Sequence, residues 1–203
     1  MEIEAKFAVP DEATWLKLQT VEALAGYALS SGKTKHMHDT FMDTTDHVIL
    51  AARHVCRKRE VDGQIVMTLK SGQTVEGAVH RREELEITLE RELPIGQWPP
   101  SEIRDRLLAI AGDVTLVPLF DQHQTRIVRW ASRAERRVAE MSVDEVELSI
   151  RSRELRYFEV EFELKEAGTE ADLAAIATCL QYEWELKPEP RSKFARALTL
   201  ASE

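Results

Sequence analysis

Glu2-Ile3-Glu4-Ala5-Lys6-Phe7 alternates charged and apolar side chains without a break. A period of two is the period of a β-strand. Glu2, Glu4 and Lys6 therefore share one face, and Ile3, Ala5 and Phe7 the other. The same pattern recurs along the chain. Arg57 and Arg59 share a face, and Thr68 and Lys70 stand against Met67 and Leu69. Arg82, Glu84 and Glu86 oppose Leu85, Ile87 and Leu89, and Gln122, Gln124 and Arg126 form another polar stripe. Glu159, Glu161 and Glu163 are backed by Phe158, Val160, Phe162 and Leu164.

A half-buried strand ordinarily turns its polar face to water, and a charge run taken alone is most often wet surface. These stripes differ because they sort by sign. A solubilising face mixes Lys with Glu, and like charges facing each other in a sheet repel. Three carboxylates in register on one strand call for cations between them, and oxygen donors suit Mg2+ or Mn2+. Grouped Arg and Lys call for a polyanion, and the guanidinium fork matches phosphate oxygens. Both needs are met if the charged faces line a closed barrel. About eight strands enclose room for side chains or one small ligand. The apolar faces then point outward, where amphipathic helices must cover them.

The patterning predicts further strands at about 34–44, 52–60, 64–70, 80–90, 119–131, 136–143, 145–151 and 156–165. Asp62-Gly63 is a hairpin turn, and Gly72 and Gly77 mark a looser connection. Helices are predicted from Asp11 to about Ala25, ended by Gly26, and from Ser101 to about Ala111. Another runs from Thr169, with Asp172 completing a partial capping box, to about Trp184, and a last piece begins near Ser192. The expected class is α+β: a closed eight-stranded antiparallel β-barrel with helices packed outside, one domain over residues 1–203.

At 203 residues and 43% apolar content the chain can bury a core without staples. No apolar run approaches the ~18 residues of a spanning helix, so no membrane is expected. The net charge of −9 argues against duplex nucleic acid as a partner. The acidic start MEIEAKF is no secretory signal, and Cys56 and Cys179 lie far apart, so a cytoplasmic, reducing location is expected. His36 and His38 share a face, but no third His or Cys follows at ligand spacing, which disfavours zinc. His123 alternates with Gln122 and Gln124 and should face outward, as should Cys56 beside Arg57.

Together these segments resemble the CYTH superfamily, also called triphosphate tunnel metalloenzymes. Glu2-Ile3-Glu4-Ala5-Lys6 matches its ExExK signature, and Phe41-Met42-Asp43-Thr44 its aromatic-x-Asp-Thr segment. Cys56-Arg57-Lys58-Arg59 resembles its Leu-Arg-x-Arg, with Cys in place of Leu. Thr68-Leu69-Lys70, then Arg82, Glu84 and Glu86, then Arg126, Asp144, Glu159, Glu161, Glu163 and Ser192-Lys193 follow in order. The segment after Asp144 lacks a Gly that family members often carry. Within the family the likeness is greatest to bacterial inorganic triphosphatases, whose CYTH domain often precedes a helical CHAD domain; no CHAD sequence is present here.

The resemblance implies metal-dependent hydrolysis of inorganic triphosphate, with thiamine triphosphatase, adenylyl cyclase or a non-catalytic polyphosphate-binding module as alternatives. It implies Mg2+ or Mn2+ as cofactor, a small triphosphate as partner, and a monomer or homodimer. Lys6, Arg57, Arg59, Lys70, Arg82, Arg126 and Lys193 are implied to hold triphosphate. Glu2, Glu4, Asp144, Glu159, Glu161 and Glu163 are implied to hold metal, with Glu84 and Glu86 in support. Glu2, Glu4, Lys6 and Glu161 are the implied catalytic set.

Overall fold

The computed structural model describes residues 1–202. The strands are β1 (Glu2–Val9), β2 (Ala23–Leu24), β3 (Tyr27–Leu29), β4 (Lys33–Asp43), β5 (His54–Val61) and β6 (Gln64–Glu76). β7 (Val79–Leu89), β8 (Val117–Arg133), β9 (Arg136–Ile150), β10 (Arg153–Leu164) and β11 (Lys187–Pro188) complete them. The helices are α1 (Glu12–Thr20), α2 (Val48–Ala51), α3 (Glu102–Ala111), α4 (Glu170–Tyr182) and α5 (Lys193–Ser202).

Strands pair in the order β8-β4-β5-β6-β7-β1-β10-β9, and β9 returns to β8, closing eight antiparallel strands into a barrel. Asp62 and Gly63 both have positive φ, as a two-residue hairpin turn requires, and that turn joins β5 to β6. Closure fixes which face of each strand is inside. Glu4 lies opposite Glu163, Lys6 opposite Glu161, and Arg126 opposite Asp144, so the charged stripes converge within.

The apolar faces point outward and are covered in separate patches. Phe7, Val160 and Phe162 pack under Trp15 and Leu18 of α1 and Leu173, Ile176 and Leu180 of α4. Cys56, Met67 and Leu69 pack under Ile103 and Leu107 of α3. Phe194 and Ala197 of α5 pack instead within the barrel, on Phe41, Phe120 and Leu148, which share the inward face with Asp39, Gln122 and Asp144; the Phe41 and Phe120 rings are 4.6 Å apart. α4 opens with a complete capping box: Thr169 accepts from the Asp172 N–H and Asp172 accepts from the Thr169 N–H.

Three expectations are corrected. The first helix stops at Thr20, and Ala25 and Gly26, both at positive φ, turn a short hairpin from β2 into β3. Leu24, Tyr27 and Leu29 bury themselves as strand residues, and the Tyr27 hydroxyl donates to Asp172 at 2.7 Å. Residues 136–150 form one strand rather than two, because Asp144 points inward with Ser142 and Glu140 and breaks nothing. The region of Gly72 is no loop: β6 runs on to Glu76 through an irregularity between Ser71 and Thr74, and the turn comes at Gly77.

Helix α2 was not expected from the sequence. It exists because Asp43, 1% exposed, accepts from the N–H groups of Thr44 (2.7 Å), Ile49 (3.0 Å) and Leu50 (3.0 Å). The last two are first-turn backbone donors that a helix start leaves without partners. The anchored turn places Ile49, fully buried, beside Cys56 and Leu69. Asp43→Ala should therefore cost about 1–3 kcal/mol of stability, with Asp43→Asn between it and wild type. Urea unfolding measures both, and a loss below about 0.5 kcal/mol for the alanine variant would refute the anchoring role.

Candidate active site

The barrel encloses a cavity of about 740 Å³. Among the described residues, ten basic and seven acidic side chains line it. The excess of basic groups on the wall is met by Asp39, Asp144 and Glu159, fully buried behind it and paired with the lining cations, so a strongly charged but nearly balanced interior presents its cations to the cavity. Glu2, Glu4, Lys6, Arg57, Arg59, Lys70, Arg82, Glu84, Glu86, Arg126, Glu161, Glu163 and Lys193 all reach the cavity wall. Asp144 and Glu159 do not line it. They lie behind the wall, fully buried, and meet the cavity through Lys193 and Arg126.

Two ion networks face each other. In the first, the Lys6 ammonium lies 2.8 Å from Glu161 and 3.6 Å from Glu4. Arg126 forks onto both oxygens of Asp144 at 2.8 and 2.6 Å and donates to Glu161 at 2.7 Å. Lys193, at the start of α5, reaches Asp144 at 3.1 Å, Glu161 at 3.0 Å and also Glu159. In the second, Arg59 forks onto Asp39 at 2.7 and 2.8 Å, while Arg57 lies 3.7 Å from Asp39 and donates to Thr68 at 2.9 Å. Lys70 donates to Glu84 at 2.8 Å. Arg82 bridges the networks, pairing with Glu4 at 3.1 Å and with Glu2.

Burial penalises every one of these charges, so their state depends on partners. For Lys6 and Lys193 burial acts against the charge, but the surrounding carboxylates outweigh it and hold both pKa values above the usual lysine range. Burial likewise opposes ionised Glu161, yet Lys193, Lys6 and Arg126 hold it well below the usual carboxylate range. Glu159 goes the other way: its burial outweighs Lys193 and Lys6 and raises it. Burial lowers Lys70 to about 8, with Arg82 and Arg57 adding to the effect. Asp39 falls to about 2, because Arg57 and Arg59 overcome its burial.

Asp39 is the site residue that sequence reasoning missed. It alternates inward with Lys35 and Met37 on β4 and lies directly opposite Arg59, so the signal was an acidic residue in register with a basic stripe. Gln122 donates to Asp39 at 3.4 Å and to Gln124 at 3.2 Å, which gives the glutamine stripe a supporting place behind the arginines. His38 and His123 stay outside, stacked at 4.6 Å, and His38 pairs with Asp121 at 2.9 Å; His80, by contrast, is fully buried opposite Glu4 on the neighbouring strand. Cys56 faces outward into the apolar layer, where burial pushes its thiol up to about 12.

The donor set fits a hard divalent cation. Carboxylate oxygens of Asp144, Glu159 and Glu161 lie within 4.8 Å of one another. Neither oxygen of Glu159 accepts a hydrogen bond, although the residue is fully buried and ion-paired with Lys193. On the neighbouring wall Glu4 and Glu163 are directly opposed across β1 and β10, and burial raises the Glu163 pKa. Like charges in that position repel unless a cation lies between them. All these donors are oxygens, the choice of Mg2+ and Mn2+ rather than zinc.

Comparison with known proteins agrees with this architecture. An inorganic triphosphatase of Haemophilus influenzae is 25% identical over 99% of this chain, and the chain spans 55% of that relative's length. A Hippeastrum protein, described as a putative adenylyl cyclase with a dominant triphosphatase activity, shares the fold. Its TM-score is 0.75 at 24% identity, with 98% of this chain and 96% of that one covered. A putative adenylate cyclase of Bacillus halodurans shares it at TM-score 0.64 and 18% identity, over 97% and 96% of the two chains. The CYTH domain profile matches residues 1–198, so the chain belongs to the CYTH domain family.

Proposed function

We propose that this protein hydrolyses inorganic triphosphate to pyrophosphate and phosphate with the help of Mg2+ or Mn2+. The observation that carries this reading is the pairing of two opposite charge sets inside one cavity whose wall is richer in basic than in acidic side chains. Buried ion pairs are weak sources of stability, since desolvation offsets their attraction. A dozen such groups gathered in one chamber make sense as a prepared binding site. The aromatic lining residues are Phe41 and Phe194, which pack on each other with centroids 5.5 Å apart. Both belong to a cluster with Phe120, and among the described residues no Trp or Tyr lines the cavity, which favours an inorganic substrate over ATP. The similarity to the inorganic triphosphatase of Haemophilus influenzae points the same way.

In this reading Lys6, Arg57, Arg59, Lys70, Arg82, Arg126 and Lys193 grip the phosphate oxygens. Glu2, Glu4, Asp144, Glu159, Glu161 and Glu163 would hold the metal ions, and Glu84 and Glu86 keep Lys70 and Arg57 extended. Bound Mg2+ or Mn2+ would polarise phosphoryl oxygens and offset charge on the leaving group. A water oxygen adds to a terminal phosphorus, the bridging P–O bond breaks, and its electron pair leaves with pyrophosphate. Phosphoryl transfer asks mainly for such positioning and neutralisation. The chamber supplies both from groups already fixed by their mutual pairing.

Phosphate release from tripolyphosphate, with ATP and thiamine triphosphate in parallel, tests the reading. Fast release from tripolyphosphate that EDTA abolishes is expected, and turnover of an organic triphosphate in preference to it would overturn the substrate assignment. Glu161→Gln should lower kcat by about 100-fold while changing KM only a few-fold. Full activity in that variant would remove Glu161 from the mechanism.

Asp39 gives a test through pH. Its pKa is lowered on folding, from 3.8 to about 2, so the native state favours its ionised form. That stabilisation is complete above about pH 4 and is lost as pH falls toward 2. The full effect is about 2 kcal/mol. Wild-type stability should therefore drop between pH 4 and pH 2 by more than that of Asp39→Asn. Parallel curves for the two proteins in denaturant unfolding would contradict the pairing.

A further inference from the structure

Lys193 stands among the carboxylates that are spaced to share one cation. Oxygens of Asp144, Glu159 and Glu161 lie within 4.8 Å of one another. The Lys193 ammonium donates to Asp144 at 3.1 Å and to Glu161 at 3.0 Å, and it is ion-paired with Glu159. One side chain thus touches every member of the triad. Lys6 and Arg126 also reach Glu161, and Arg126 forks onto Asp144. Among the described residues, however, Lys193 is the one cation ion-paired with Glu159.

This placement makes the lysine and a metal ion alternatives. Mg2+ binds oxygens at about 2.0–2.1 Å. An ion using one oxygen from each carboxylate would lie in the space of the ammonium, which is no more than 3.1 Å from all three. Two cations repel too strongly to share that space. Glu159 adds a second constraint. It is fully buried, and a lysine that withdrew would leave it without its cation, which is costly. Departure of the ammonium and arrival of another cation are therefore one exchange.

The helix decides what can move. Phe194 and Ala197 fix α5 in the cluster with Phe41, Phe120 and Leu148. Arg196 pairs with Glu189, and its guanidinium lies over the Tyr157 ring at 4.1 Å. Near the other end Arg153 donates to the Leu200 carbonyl at 3.2 Å. The helix body is held along its length, and what can turn is the Lys193 side chain, a flexible four-carbon stem. Lys193 also lines the cavity, so a bound phosphate is within its second reach.

We propose that Lys193 is a tethered competitor of the divalent cation: its ammonium holds the place between Asp144, Glu159 and Glu161, and a metal ion enters there only as the lysine turns toward the cavity. The inference rests on the triphosphatase reading for the phosphate that receives the lysine. The competition itself needs no substrate.

Mn2+ binding to the full chain, measured by calorimetry with no phosphate added, tests this in wild type, Lys193→Gln, Glu159→Gln and the double variant. A place that is occupied nine-tenths of the time or more lowers the apparent affinity of its ligand about tenfold or more. Lys193→Gln should therefore bind Mn2+ at least about tenfold more tightly than wild type, and the double variant should lose that gain. Thermal unfolding gives a second readout. Mn2+ should raise the midpoint of Lys193→Gln more than that of wild type, and should restore folding if the substitution alone abolishes it.

Equal Mn2+ affinity in wild type and Lys193→Gln overturns the proposal. A gain that persists in the double variant also overturns it, since loss of one positive charge would then suffice. Tripolyphosphate turnover, assayed separately, keeps the two readings apart. Turnover without the gain in Mn2+ affinity sinks the competition and leaves the triphosphatase. The gain without turnover leaves the competition and sinks the triphosphatase.

Discussion

The constraint on which the structure depends is charge balance in a closed interior. Lys6, Asp144 and Glu159 are at most 1% exposed, and Arg57, Arg82 and Glu161 below 10%. No such group can stay ionised in a low-dielectric space without an opposite charge in reach. The solution is reciprocal pairing: Glu161 is shared by Lys6, Arg126 and Lys193, and Asp39 by Arg57 and Arg59. Each partner holds another in its charged form and in an extended rotamer. Arg59 and Arg126 are fixed by forked, two-point bonds, which set the direction of the guanidinium as well as its charge.

From this follows an inversion of the usual plan. An ordinary small β-barrel fills its interior with side chains that also serve as core. Here the interior is given largely to ions, with one apolar cluster under α5, so most of the apolar stabilisation comes from outside the sheet. Helices α1 and α4 cover one side, α2 and α3 another, and α5 packs Phe194 against Phe41 and Phe120 while projecting Lys193 into the charge network. The last helix thereby ties an apolar cluster to the functional site. The cost of burying ions is offset by burial of hydrocarbon on separate surfaces, and neither has to be compromised for the other.

Much of this was legible because inside and outside are encoded by a period of two. The Glu2-Glu4-Lys6 and Glu159-Glu161-Glu163 stripes gave the strands, their faces and their shared destination in one reading. What resisted were features set by partners remote in sequence. Asp39 looks ordinary until β4 is laid beside β5 and meets Arg59. Asp43 makes a helix start only because the chain turns back over it at Ile49 and Leu50. Residues 21–25 carry on the helix-like spacing of α1, yet Tyr27 finds Asp172 on α4, and that tertiary bond belongs to a hairpin. Local pattern specified the elements whose partners share the alternation, and tertiary contact decided the others.

The depth of the charges also argues for how a ligand enters. Asp144 and Glu159 stand behind the cavity wall, joined to it by Lys193 and Arg126, while Lys6 and Glu161 stand on the wall. A phosphate chain and divalent cations arriving together carry opposite charges of their own. The phosphates can take over the cations and the metal ions the carboxylates, so each internal pair exchanges one opposite partner for another. Net charge in the interior changes little in that exchange, and no ion is left bare at any stage. In the proposed reading the internal pairing keeps the groups oriented and charged for such an exchange. A chamber of Lys and Arg alone would bind anions tightly but could not stay folded empty. One of carboxylates alone would face the same repulsion with the sign reversed.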